Sequence, residues 1–194
     1  MEKPKLLKRP SVATPKLDAS AGKPQTINSK GRNPLLTEEC EQYLNYRVQQ
    51  EEYSARIYLS MAMWLENEGY LGAGKLWKKY SDEEMLHAND ARTYLLSMGV
   101  QPITPMLEAP SQVYSGLPEI IKKSYEHEIE VTTQIKDLST HALSINDHML
   151  YTLGQTYLKE QVEEHNKMQN WIDRLSAFGE DKLALRFLDE EMGG

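Results

Sequence analysis

The chain has 194 residues, a net charge of −7 and a single cysteine, Cys40. This length suits one domain with a substantial core, and a lone cysteine excludes an intrachain disulfide, which favours a reducing compartment. The sequence contains no run of about 18 apolar residues, the length needed to span a membrane, and its N-terminus has no apolar stretch typical of a secretory signal. We therefore expect a cytoplasmic protein.

The first 34 residues differ in composition from the rest of the chain. They are rich in Pro, Lys, Ser and Thr and show no sustained hydrophobic period, so we predict a disordered extension over 1–34 and a folded domain over 35–194. Residues 1–33 carry a net charge of +6, which leaves −13 for the remainder. Such a basic arm could bind nucleic acid or another anionic surface. It could also be an address or only a solubilising extension.

Four long helical patterns follow, and a short fifth one ends the chain. Apolar residues recur every three or four positions over about 37–67, 70–99, 118–144, 146–178 and 181–192. The joins after the first and third helices are short, which predicts two antiparallel hairpins.

The connection between the second and third helices is longer and contains three prolines, and a fourth, Pro118, begins the third helix. Its roughly 18 residues can reach ~60 Å when extended, whereas a helix of about 28 residues is ~42 Å long. The segment can therefore return along the molecule and make the second and third helices parallel. We predict an all-α fold, a four-helix bundle with one long crossover and a short fifth C-terminal helix.

Each long helix has an acidic residue near the middle of its predicted buried stripe. These acids are Glu51, Glu84, Glu128 and Glu164. His87 lies one turn after Glu84, and Gln161 lies one turn before Glu164, so both share the buried face. Glu51 and Glu84 are 33 residues apart around the first turn, as are Glu128 and Gln161 around the third. Residues equidistant from a hairpin turn lie at one level, so we expect all these groups to meet.

The meeting of four acids in a core predicts a metal site. Burying four carboxylates without compensation would cost several kcal/mol each, and two divalent cations would neutralise them. Carboxylate, imidazole and amide ligands suit Fe(II), Mn(II) or Zn(II), and the absence of cysteine ligands argues against an iron–sulfur cluster. We therefore predict a buried dinuclear metal site.

The same segments resemble those of a known family. The motifs are "QQEEYSARIYLSM", "YSDEEMLHA", "YEHEIEVT" and "KEQVEEH", together with the prolines of the crossover. Over residues 38–192 the chain resembles the non-haem bacterial ferritins. The resemblance implies a ferritin-like bundle in a shell of 24 subunits, iron as the bound metal, and storage of ferric oxyhydroxide inside the shell.

The resemblance also implies a ferroxidase centre inside each subunit, which oxidises Fe(II) with O2 or peroxide. Its implied iron ligands are Glu51, Glu84, His87, Glu128 and Glu164, with Glu84 as the bridge and Gln161 near the oxygen-binding face. A third, weaker iron site is implied at Glu83, Glu160 and Glu163, which could share Glu164. Tyr58 matches the tyrosine beside the centre, either as a redox group or as a core tyrosine bonded to a ligand.

One departure from the general di-iron pattern and several single residues refine the resemblance. The second helix pair carries Gln161-x-x-Glu164 in place of a second E-x-x-H, with His165 one place late, which disfavours bacterioferritins and di-iron oxygenases. Met85 stands where bacterioferritins carry a haem-ligating methionine, but non-haem ferritins can carry methionine there too, so haem is not expected. The remaining histidines fall off the stripes and are expected to be solvated: His127, His141, His148 and His165.

Three functions compete on these grounds. The first is iron storage with ferroxidase activity. The second is a DNA-binding miniferritin that protects against peroxide, although that family places its iron site between subunits and lacks the fifth helix. The third is a di-iron redox enzyme related to rubrerythrin, which would usually bring a second E-x-x-H and often a cysteine-rich iron domain.

Overall fold

Five helices make up most of the computed structural model, which describes residue 31 and residues 33–194. They are α1 (Glu38–Asn67), α2 (Leu71–Ser97), α3 (Leu117–Ser144), α4 (His148–Phe178) and α5 (Lys182–Gly193). Every predicted helix is confirmed, with ends within two residues, and the described residues contain no strand. None of these helices is apolar over enough of its length to cross a lipid bilayer. The extension predicted over 1–34 lies outside the described residues, except for 31, 33 and 34.

Local side chains set where most of the helices begin. Thr37, Asp147 and Asp181 each accept a backbone N–H from the first turn of the helix that follows, as good N-caps do. The N-terminus of α2 lacks such a cap of its own. Asp189 of α5 supplies it instead, because its carboxylate accepts the Ala73 N–H at 2.8 Å.

Contacts between helices establish the topology. The helices α1 and α2 form one hairpin, and α3 and α4 form the other. Gln134 contacts Gln50 at 3.2 Å, and Ser124 contacts Met61 at 3.5 Å. The contacted residue of α3 thus has a lower number, 124 instead of 134, when the residue of α1 has a higher one, 61 instead of 50. These two helices are therefore antiparallel. Because α2 is antiparallel to α1, it runs parallel to α3, as predicted.

The crossover between α2 and α3 follows the side of α1. The Asn45 side chain accepts the Ile103 N–H at 2.8 Å near one end. Further along, the Ser60 hydroxyl donates to the Ser111 carbonyl at 2.5 Å. The segment is thus fastened along α1 and returns the chain to the other end of the bundle.

The apolar core is divided in two. One cluster lies around Trp77 and Ile120, and the other around Leu44 and Leu95. Between them lies a buried layer of polar side chains, here called the polar layer: Arg47, Gln50, Glu51, Ser54, Glu84, His127, Glu128, Gln134, Gln161 and Glu164. The four acids of the predicted stripes are all in it.

The short helix α5 packs closely on the start of α2. A Cβ at Gly72 would overlap the carbonyl oxygen of Asp189, so only glycine permits this approach. Leu185 and Leu188 of α5 are buried in the larger apolar cluster. This contact closes one end of the bundle core.

Candidate metal centre

Three predicted ligands come together on the first hairpin. Glu51 of α1 and Glu84 and His87 of α2 place one ligand atom each within 4.8 Å of one another. Both carboxylates are buried, and His87 is half-buried with Nδ1 3.6 Å from Glu84 Oε2. The three side chains form a group that could hold a metal ion.

Glu51 is balanced by a buried cation that was not predicted from the sequence. Arg47, one turn earlier on α1 and only 2% exposed, forms an ion pair with Glu51. Its guanidinium also lies 5.7 Å from the ring centre of Tyr157. Burial alone would raise the pKa of Glu51, but the Arg47 charge and a hydrogen bond with Glu84 lower it. The sequence did offer a sign of this pair, because Arg47 precedes Glu51 by four residues and so lies on the same face of the helix.

Glu84 and Glu51 share a hydrogen bond across the hairpin. Burial first, and then the negative charges of Glu51 and Glu128, raise the pKa of Glu84 well above its usual range. In the metal-free protein the proton therefore resides on Glu84, which donates it to the ionised Glu51.

Glu128 enters the polar layer from α3. It accepts a hydrogen bond from the Tyr58 hydroxyl and another from Gln161 Nε2 at 3.5 Å. Burial raises the pKa of Glu128 to about 7, although the Tyr58 hydrogen bond acts in the opposite direction. Burial, followed by the Glu128 charge, raises the pKa of Tyr58 well above its usual range, so its hydroxyl stays protonated.

Gln161 is oriented by a chain of hydrogen bonds. The Thr132 hydroxyl donates to Gln161 Oε1 at 2.7 Å and lies 2.8 Å from His165 Nε2. The amide oxygen of Gln161 is thus engaged by Thr132, and its N–H groups are left for Glu128. In this arrangement Gln161 positions the Glu128 carboxylate.

The prediction of solvated histidines is wrong for two of the four. His127 and His141 are buried, because long helices also bury residues that flank the central stripe. His127 Nε2 lies 2.7 Å from the Ser54 hydroxyl, and burial lowers the pKa of His127 to about 4, so the ring is neutral. His165 is half-buried against Thr132, whereas His148 is exposed.

The residues implied for a third iron do not gather in the same way. Glu160 and Glu163 are exposed on α4, and Glu83 is half-buried on α2. Lys167 Nζ lies 3.0 Å from both Glu83 Oε2 and Glu164 Oε1. Partial burial would lower the pKa of Lys167, but these hydrogen bonds raise it, so the side chain is an ammonium ion.

Most of the chain is similar to proteins of one known family. Residues 41–178 match the family described as a ferritin-like domain. The chain belongs to this ferritin family. Its all-α architecture, with four bundle helices and a short fifth one, is the fold predicted from the sequence.

Relatives of this ferritin are similar over nearly their whole length. A "probable bacterial non-heme ferritin-like protein" of Haemophilus influenzae is 32% identical over 159 residues, which cover 82% of this chain and 96% of the relative. The bacterial non-heme ferritin of Escherichia coli is 31% identical, with coverage of 81% and 96%. An open-pore ferritin from the archaeon Archaeoglobus fulgidus superposes with a TM-score of 0.78 at 31% identity, covering 82% of this chain and 97% of the other. Family membership supports a role in iron storage.

The donor chemistry of this ferritin fits iron. Carboxylate oxygens and one imidazole nitrogen suit Fe(II). Because ligands must be deprotonated to bind a cation, iron binding would release the protons that Glu84 and Glu128 hold. A cation held by these two carboxylates would therefore displace protons as it binds.

Proposed function

We propose that this protein stores iron and oxidises Fe(II) at a centre inside each subunit. The observation that carries the proposal is the polar layer, where buried acids from all four bundle helices interrupt the apolar core around the group of Glu51, Glu84 and His87. Buried carboxylates without a cation are costly. The similar proteins of Escherichia coli and Archaeoglobus fulgidus are ferritins, which supports the same role.

Each ligand has a role in this proposal. Glu51, Glu84 and His87 hold one Fe(II) ion, and Glu84 bridges to a second ion held by Glu128 and Glu164. Two Fe(II) ions give one electron each to O2 or to peroxide, which accepts both. Holding the pair at a fixed separation lets both electrons pass to one acceptor.

The surrounding side chains position the ligands. Tyr58 and Gln161 orient Glu128 through their hydrogen bonds, and Gln161 lies on the side proposed for the oxidant. Glu84 and Glu128 give up protons when Fe(II) arrives. Because Tyr58 donates directly to a proposed ligand, it could also act as a redox group.

Storage requires an enclosed assembly, and we propose a shell of 24 subunits. Oxidised iron would collect inside it as ferric oxyhydroxide. Sedimentation equilibrium of the purified protein tests this, with an expected mass two dozen times that of the 22.3 kDa chain. A stable dimer would contradict the shell.

The test of the centre is anaerobic Fe(II) loading of the metal-free protein, followed by oxygen. A rapid phase of about two ions per subunit, with continued uptake of iron that stays in solution, is expected. The double substitution Glu51→Ala with Glu128→Ala should abolish the rapid phase. Glu180→Ala, an exposed acid paired with Lys122, is the matched control.

Other results would redirect the proposal. An unchanged rapid phase in the double variant would refute the ligand assignment. A rapid phase that stops, with later iron precipitating, would favour a di-iron redox enzyme instead of storage.

A further inference from the structure

Lys167 holds two acids of the iron site together. It lies one turn after Glu164 on α4, and its ammonium reaches across to α2. The distances from Nζ to Glu164 Oε1 and to Glu83 Oε2 are both 3.0 Å. The ammonium therefore lies between Glu164, a proposed ligand of the second iron, and Glu83, one of the acids implied for a third iron.

Neighbouring groups fix the ammonium in this position. Lys167 Nζ lies 5.9 Å from the ring centre of Tyr80, whose aromatic face attracts a cation. Trp171 Nε1 donates to the Tyr80 hydroxyl at 3.1 Å, which orients that ring. Glu83 is neutralised from both sides, because Lys79 Nζ lies 3.7 Å from its other oxygen.

While Lys167 engages Glu83 and Glu164, the remaining acids implied for a third iron offer a cation little by themselves. Glu160 and Glu163 are exposed to solvent on α4. Among the described residues, the acids around Lys167 form no group whose ligand atoms converge as those of the Glu51 group do. Exposed carboxylates attract a cation weakly, because water screens their charge.

We propose that the Lys167 ammonium takes the place of a third iron ion, so that the centre of this protein takes up two Fe(II) ions and no more. This inference rests on the proposed function of the same site. A fixed positive charge between Glu83 and Glu164 repels an incoming cation and occupies one oxygen of each acid. Lys167 engages Oε1 of Glu164 and leaves its Oε2 available to hold the second iron.

The experiment is anaerobic calorimetric titration of the full-length metal-free protein with Fe(II). The wild type is expected to bind about two ions per subunit at the centre. Lys167→Met keeps the length of the side chain and removes the charge, so about one further ion is expected. Lys78→Met is the matched control, because Lys78 is an exposed lysine paired with an acid of α2, Asp82, away from the centre. It should bind as the wild type does.

The outcomes separate this inference from the proposed function. A wild-type protein that binds about three ions would overturn the inference and leave the ferroxidase centre intact. An unchanged stoichiometry in Lys167→Met and in Lys167→Gln would also overturn it. A wild type that binds no Fe(II) would refute the proposed function itself.

A crystal of the wild type soaked anaerobically with Fe(II) gives a second readout without any substitution. Anomalous scattering from iron is expected at two positions per subunit, with Lys167 still between Glu83 and Glu164. Iron bound at Glu83 would overturn the inference.

Discussion

Glu84 and Glu128 are buried acids that hold protons near neutral pH. Burial raises the pKa of Glu128 from 4.5 to about 7, and burial with two neighbouring charges also raises the pKa of Glu84 well above its usual range. An acid whose pKa is raised on folding stabilises the fold below its unfolded pKa, and this contribution is lost as the pH rises through the folded pKa. The metal-free protein should therefore lose stability between about pH 5 and about pH 8.

Glu128→Gln tests this pH dependence. The amide cannot ionise, so the metal-free variant should lose less stability over the same pH range, by up to about 3 kcal/mol for a shift of this size. Differential scanning calorimetry at several pH values measures the difference. Equal pH slopes for the variant and the wild type would contradict the assigned ionisation.

Arg47 is the resident cation of the polar layer. Arg47→Met leaves Glu51 buried without its partner and should destabilise the metal-free protein by about 3 kcal/mol. Bound Zn(II), a redox-inert probe, would neutralise Glu51 instead, so the loss should be smaller in the loaded protein. Thermal unfolding with and without Zn(II) measures both values.

The double variant Arg47→Met with Glu51→Gln is the control for that prediction. Removing both charges should restore most of the stability of the metal-free protein, because no buried ion remains unpaired. If the double variant instead lost as much stability as Arg47→Met and Glu51→Gln lose together, the two residues would not be coupled.

The burial of a side chain could be predicted from the sequence where the helical period determines the face on which the residue lies. Glu51, Glu84, Glu128 and Glu164 are buried as predicted because the helical period sets the face on which each Cα lies. The bridge from Lys167 to Glu83 was missed because a long side chain reaches well beyond the position of its Cα.

At the scale of single elements, the contact between α2 and α5 depends on Gly72. Gly72→Ala should force α5 away from α2, because the new Cβ would overlap the Asp189 carbonyl oxygen. Overpacking of this kind costs about 1–3 kcal/mol. We expect a lower unfolding temperature and faster proteolysis near Gly179, between α4 and α5. Gly116→Ala is the control, since a Cβ there meets no atom closer than 3.4 Å. Equal behaviour of the two variants would contradict the close contact.

The helix ends were predicted well, but their partners were not. Capping residues such as Thr37 are local signals that a sequence displays directly. Asp189 caps α2 from over a hundred residues away, and no local pattern reports such a contact. Long-range polar contacts of this kind required the structure.

The whole sequence combines a basic N-terminal segment, residues 1–33, with an acidic remainder. Deletion of residues 1–34 should abolish any salt-sensitive retardation of DNA, because residues 1–33 carry +6 and multiple arms on a shell would add their effects. Electrophoretic mobility shifts at low and high salt measure this. If the full-length protein causes no retardation at low salt, the arm does not bind DNA. The boundary at residue 35, the arm's role and the absence of haem at Met85 remain predictions.

The proposed iron ligands are divided between the two hairpins. Glu51, Glu84 and His87 lie on the first, and Glu128 and Glu164 lie on the second, with residues 98–116 as the covalent link between them. A metal ion pair bound by both would act as a reversible cross-link, closing a loop through the crossover. A chain cut in the crossover should then stay together as two fragments while loaded and separate more readily after chelation. Bound iron would thus also stabilise the fold of the subunit that holds it.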